Sequence, residues 1–285
     1  MVERQRDRGR ARRGHGGRRA ALALAVMAGI AASACGCGAS GGAAADGADG
    51  GAAAVRGAAG TLVAAGSARA VTSMEMAAGG TRVTIRGEGG YDFRRRIGSL
   101  TVTLPKDPTG SPEHRPITEL LSPALLYMKN RGAGVPAGKW VRIDSATLAD
   151  GNLVTGGATD PLTAAELLGS AGKVSFAGTE DLAGTSVRHY RGVADLGAAA
   201  RGAAPYARGA LAAAVRGKGF GSAAVPFDAY VDGEGRLRKV RQRFTYLNQG
   251  RPVTVASTTV LYGFGARVLV RLPPAADIYA GRVRD

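Results

Sequence analysis

Three histidines, two cysteines and a few close-set carboxylates are the main groups in this 285-residue chain that could do chemistry at neutral pH. They are badly placed for it. His15 falls in an arginine-rich N-terminus, His114 in a loop beside Pro112 and Pro116, and His189 in an apolar–polar alternation next to Tyr190, where it is expected to be an exposed strand residue. Three separated histidines, without cysteines or carboxylates at ligand spacing, make no zinc site. Leu168-Gly169-Ser170-Ala171-Gly172-Lys173-Val174 carries the Gly-Lys of a phosphate loop. The motif also needs glycine where Leu167 stands and a hydroxyl where Val174 stands. The acidic pairs Glu180-Asp181 and Asp232/Glu234 sit among turn residues, where carboxylates serve nearby backbone N–H groups. The expectation is therefore no enzyme, no metal and no cofactor.

The cysteines are a different matter. Cys35 and Cys37 are too close together to staple a fold, and both follow an N-terminus of a distinctive kind. Residues 1–34 hold eight arginines against Glu3 and Asp7, and Ala20–Ala34 is an apolar run of fifteen residues. As a helix that run would reach about 22 Å, short of a ~30 Å hydrocarbon core. A basic start, a short apolar run and the small residues Ala32, Ser33 and Ala34 are the pattern of a cleavable signal peptide. Ala32-Ser33-Ala34-Cys35 resembles the lipobox of bacterial lipoproteins, with Ala32 where that motif usually has leucine. The resemblance implies that Cys35 is diacylated and becomes the new N-terminus, with Cys37 a rival acceptor. Ordinary secretory cleavage beside two stray cysteines is the plainer alternative. Arg18-Arg19 leaves both the general and the twin-arginine export routes open. The expected domains are a signal peptide over 1–34, a lipidated cysteine and Gly/Ala tether over 35–54, and a folded domain over 55–285. The tether would hold that domain roughly 25 Å from its anchor.

Without residues 1–34 the chain keeps a charge of +10, from 30 Lys and Arg against 20 Asp and Glu. Such a surface is drawn to anionic head groups or cell-wall polymers. Nucleic acid is not expected as a partner, because the basic residues are scattered and aromatics make up only 5%.

Past an Ala-rich helix expected near 54–65, hydrophobicity takes a period of two, the signature of strands with one wet face. Val83 and Ile85 alternate with arginines and Thr84. Leu100, Val102 and Leu104 alternate with Ser99, Thr101 and Thr103. Val240, Phe244 and Tyr246 alternate with Lys239, Arg241 and Arg243. Further strands are expected at 125–129, 139–143, 173–177, 187–195, 227–231, 253–262 and 268–272. Asp232-Gly233 supplies a hairpin turn. Asp160-Pro161 opens one helix, and Pro205 divides a second helical stretch over 198–216. Many strands with a few late helices give an α+β class: a curved antiparallel sheet with helices across one face.

Several segments resemble the LppX/LprG group of actinobacterial lipoproteins. They are Leu126-Tyr127-Met128-Lys129 followed by Gly138-Lys139-Trp140-Val141, then Gly184 through Gly192, the hairpin Pro226 through Leu237, and Val268 through Pro274. Together they span about residues 67–280. The resemblance implies a LolA/LppX-like half-barrel whose members carry acyl chains between sheet and helices. On that basis the expected partners are the membrane, through the N-terminal anchor, and a lipid or lipidated ligand, with the protein a monomer. The cavity face would comprise Val83, Ile85, Leu100, Val102, Leu104, Leu126, Met128, Val240, Phe244 and Tyr246. The same alternation would equally serve a filled core, making the protein a cell-envelope interaction or sensory domain. Trp140 would anchor the core or line a cavity mouth. The row Lys239, Arg241, Arg243 would meet solvent or anionic head groups.

Overall fold

A computed structural model describes residues 50–105, 115–132, 134–217, 219–248 and 250–281. Cys35, Cys37, His15, His114 and the whole signal segment lie outside the described residues.

Eleven strands form one sheet in the order β6-β5-β4-β3-β2-β1-β11-β10-β9-β8-β7. They are β1 Ser67–Ala78, β2 Thr81–Asp92, β3 Ile97–Thr103, β4 Ile117–Ser122, β5 Leu125–Lys129, β6 Trp140–Asp144, β7 Val174–Leu182, β8 Thr185–Asp195, β9 Ala224–Val231, β10 Leu237–Asn248 and β11 Arg251–Tyr262. Every neighbouring pair is antiparallel. Two meanders, β1–β6 and β7–β11, are joined by the long β1–β11 pairing.

Four α-helices lie wholly within the described residues: α1 Ala58–Ala65, α2 Pro161–Leu168, α3 Leu196–Gly202 and α4 Pro205–Arg216. Asp160 caps α2 by accepting from the N–H groups of Leu162 and Thr163, and Asp195 caps α3 through Ala198. Pro205 begins α4 and ends the preceding helical stretch before it, as expected.

The sheet must curl. Laid flat, eleven strands would be roughly 50 Å across. Yet Leu126 and Met128 of β5 share one buried cluster with Phe227, Ala229 and Val231 of β9. At one side α3 packs on β8; at the other, Gly151, just past β6, lies so close to α4 that a methyl group on it would overlap the Ala210 carbonyl. One helical layer thus meets both ends of the sheet. The result is the expected half-barrel: a large open antiparallel sheet with a few helices.

Two strands are missing from the sequence pattern. β1 carries Ala68, Ala70, Thr72 and Met74 on its buried face, residues too small or polar to stand out as an apolar alternation. In β4 the inward positions are Ile117, Glu119 and Leu121, and the carboxylate breaks the pattern.

Two expectations are corrected. Val268–Leu272 forms no strand. It lies across the outer face, where Val268 and Val270 pack with Ile97, Leu120, Tyr127 and Trp140, while Leu269 is 73% exposed. Beyond Pro273-Pro274 the chain meets β6 through a Trp140–Ile278 bridge. Residues 50–56, which overlap the end of the expected tether, are helical, with Gly51, Ala52 and Val55 buried. Gly51 is needed there because any side chain would overlap the Tyr190 ring.

Candidate ligand-binding face

The pairing register assigns each strand residue to a face. Gly87 pairs with both Thr72 and Val102, Ile85 with Met74, and Phe244 with Val255. These residues look inward, toward the helices. All ten side chains expected on the cavity face belong to this inward set. Leu100, Val102, Leu126, Met128, Val240 and Phe244 are buried. Val83, Ile85, Leu104 and Tyr246 are half-buried.

That division has a geometric meaning. The half-buried residues lie toward one end of the half-barrel, beside the β1–β2 and β10–β11 turns, together with Met76 and Val253. Here the apolar face runs out from under its cover. Phe220 partly covers it, packing against Phe244 and Tyr246 with ring centroids 5.3 and 5.8 Å away.

Over the middle of the face the cover is not a helix. The irregular segment 148–160 lies there, inserting Leu153, Val154 and Ala158 into the core. Buried irregular backbone needs partners for its polar groups, and this segment supplies most of its own. The Asp150 carboxylate, itself fully buried, accepts from the N–H groups of Asn152, Val154 and Thr155 and from the Thr155 hydroxyl. Asn152 accepts from Gly156 N–H, and the Thr159 hydroxyl donates to the Leu153 carbonyl. The sheet side adds the Thr159–Ser257 hydroxyl contact at 2.7 Å and the bond from Arg131 to the Thr155 carbonyl. Just beyond, Gln242 donates to the Ala164 carbonyl.

A polar well lies at the opposite end from the apolar rim. It is a cavity of about 30 Å³ lined by residues including Tyr91, Arg96, Asp160 and Tyr206, room for a water or two and not for a hydrocarbon tail. Tyr91 donates to Asp160 at 2.9 Å, and Tyr206 donates to Glu166. Burial pushes the Asp160 carboxyl above its ordinary range, against the pull of its backbone and tyrosine donors. Burial likewise raises Tyr91. A larger open hollow, about 910 Å³, is lined mainly by outward side chains of β1–β3 such as Val71, Arg82, Arg86 and Thr101.

The outer face corrects the reading of His189, expected to be exposed. It is 3% exposed. Its ring nitrogens face Glu180 at 2.8 Å and Asp228 at 2.9 Å, and it stacks on Tyr230. Arg191 and Arg243 also bond Asp228, and these donors hold its carboxyl below the usual range despite its burial. The cluster joins β7, β8, β9 and β10, a cross-strand tie that single-strand periodicity does not reveal. Of the basic row, Arg243 thus has a partner, Arg241 reaches Glu75 at 3.4 Å, and Lys239 lies over the Tyr230 ring. Trp140 is half-buried on the outer face under Lys129 and the C-terminal tail, away from the helices. Two nucleophile-like spacings occur in the sequence. Gly38-Ala39-Ser40-Gly41-Gly42 lies outside the described residues. In Ser170-Ala171-Gly172-Lys173 the serine hydroxyl is used by the Leu167 carbonyl and Asp195 N–H.

Several solved structures are similar to this chain. The chain is similar to lipoprotein LppX of Mycobacterium tuberculosis. The identity is 10% and the TM-score 0.47, over 78% of this chain and 99% of that one. It is similar also to LprF of Mycobacterium bovis, at 12% identity and a TM-score of 0.42, over 79% and 97% of the two chains. A lipoprotein-sorting protein domain from Vibrio parahaemolyticus is 9% identical, with a TM-score of 0.30, over 77% and 95%. No family model and no curated protein matches the sequence. The likeness is one of overall fold.

Proposed function

We propose that this chain is an extracytoplasmic lipoprotein, anchored through Cys35, that carries an acyl chain of a lipid or acylated molecule against the concave face of its sheet. The observation that carries the reading is the apolar rim. Met76, Val83, Ile85, Leu104, Tyr246 and Val253 are half-buried and continuous with the main core at the half-barrel's uncovered end. An acyl chain laid there leaves water at ~25 cal/mol per Å² of apolar area. Deeper binding requires residues 148–160 to move aside. Their mostly internal bonding suits them to leave as a unit, because few polar groups lose a partner when they do. The loading sequence is contact of the chain with the rim, outward displacement of 148–160, and replacement of Leu153, Val154 and Ala158 by methylene groups. The +10 charge of the mature chain favours anionic donor membranes.

A second reading, a monomeric cell-envelope interaction domain with a filled core, is favoured by the Thr159–Ser257 and Gln242–Ala164 bonds that fasten the cover. Native mass spectrometry of the intact protein, released from membranes in mild detergent, separates the two. The carrier shows a co-purified lipid adduct that delipidation removes and added lipid restores. Repeated absence of any adduct establishes the filled-core reading instead.

A further inference from the structure

The inner face carries a carboxyl group that its cover does not use. Glu119 of β4 is fully buried, paired across the sheet with Leu100 and Met128. Neither of its oxygens has a hydrogen-bond partner among the described residues, and the same holds for the Thr72 hydroxyl on β1. The segment over the face is held by Asp150, Asn152, Thr159 and Ser257, so neither group helps to fasten it. A site that had only to be filled would be better served by an aliphatic side chain, as at Ile117 and Leu121 two positions to either side. An unpartnered buried polar group costs free energy for as long as it stays unpartnered.

What lies over the carboxyl is bare backbone. A methyl group placed on Gly156 would sit 3.3–3.4 Å from both Glu119 oxygens. Displacing residues 148–160 therefore uncovers the carboxyl directly. Beside it the inward positions of β2 are Gly87 and Gly89, which have no side chains. A methyl group on Gly87 would overlap the Thr72 hydroxyl, the second unpartnered polar group of this face. Burial, only partly opposed by Arg131, pushes the Glu119 carboxyl up to about 8. It is thus uncharged at pH 7, with one O–H to donate and oxygens to accept.

We propose that Glu119 is a ligand-binding residue whose carboxylic acid hydrogen-bonds the ester carbonyl or hydroxyl of an acyl ligand seated in place of residues 148–160. The ligand class is thereby narrowed from hydrocarbon in general to an acyl chain with an uncharged oxygen function at its head. The inference rests on the acyl-carrier reading. The concave face receives the chain, the rim receives its tail, and the neutral acid reads the head without placing an ion against the hydrocarbon.

The test uses the intact protein, delipidated and mixed with two probes, 1-monooleoylglycerol and 1-octadecene, with occupancy measured by native mass spectrometry. Wild type takes up both. Glu119→Leu loses affinity for monooleoylglycerol by about tenfold, the scale of one lost hydrogen bond, and keeps its affinity for octadecene. Glu119→Gln, which can still donate and accept, stays close to wild type for both. Should Leu prevent folding, Glu119→Met carries the same expectation. Equal monooleoylglycerol binding by wild type and the apolar variant overturns the role of Glu119 and leaves the carrier standing. Wild type binding neither probe overturns the carrier itself, and this inference with it.

Discussion

Glu119 makes the stability of the protein depend on pH in a direction opposite to most carboxylates. Its folded-state pKa, about 8, lies above the ordinary 4.5. Between those values the folded state holds a proton that the unfolded state has released. The stabilisation is complete below pH 4.5, falls as pH rises through the window and is gone above about 8. At 1.36 kcal/mol per unit the loss amounts to up to about 5 kcal/mol. Glu119→Gln removes it, so urea melts of wild type and variant between pH 5 and 8.5 diverge with rising pH, the variant becoming the more stable. Parallel pH profiles would mean that the carboxyl is already ionised at pH 7. The residue was not legible as an inward one, since Glu119 and Leu120 invert the apolar–polar alternation of their strand. A charged residue type at an inward position masks a strand only six residues long. His189 was hidden for another reason: its burial comes from Glu180, Asp228 and Tyr230 on neighbouring strands, which no local pattern can bring together.

Among the elements, the covering segment 148–160 is the one least visible in the sequence. Gly151, Gly156 and Gly157 suggest a surface loop, yet the segment is mostly buried because Asp150 and Asn152 satisfy its backbone from within. The strands with large alternating side chains were readable, as was the Asp160-Pro161 helix start. Val268–Leu272 alternates as a strand does but crosses the others' outer face, so its pattern reflects burial of Val268 and Val270 against that face rather than pairing. The segment's seating depends on Gly151, which has φ +58° and lies against the Ala210 carbonyl. Gly151→Ala strains that backbone and destabilises the fold by ~1–3 kcal/mol. The substitution is expected to loosen residues 148–160 while leaving the β1–β11 pairing intact, and so to raise lipid occupancy in native mass spectra. Lower occupancy at unchanged sheet protection would show that the segment supports the ligand instead of standing in its place.

For the whole molecule, the proposed anchor and the concave face would act together: a domain tethered through Cys35 would meet acyl chains only where its membrane presents them. That proposal rests on the composition and charge of residues 1–34 and on no feature of the fold. Two acyl chains on one cysteine hold a protein to a bilayer where a single chain does not. Cys35→Ser should move the protein from the detergent phase to the aqueous phase on cloud-point separation, and Cys37→Ser should leave it anchored. The reverse outcome assigns the lipid to Cys37. Whether the concave face is hollow was not legible, because the same inward side chains face a ligand or the protein's own segment.

Hydrogen exchange at the backbone amides of residues 152–157, followed with and without 1-monooleoylglycerol, tests directly whether a ligand and this segment compete for one space. Competition predicts that these amides exchange faster as lipid is added while those of β1, β2 and β11 hold their protection. Bound lipid with 152–157 as protected as before would contradict the account, because the acyl chain would then lie somewhere other than on the concave face.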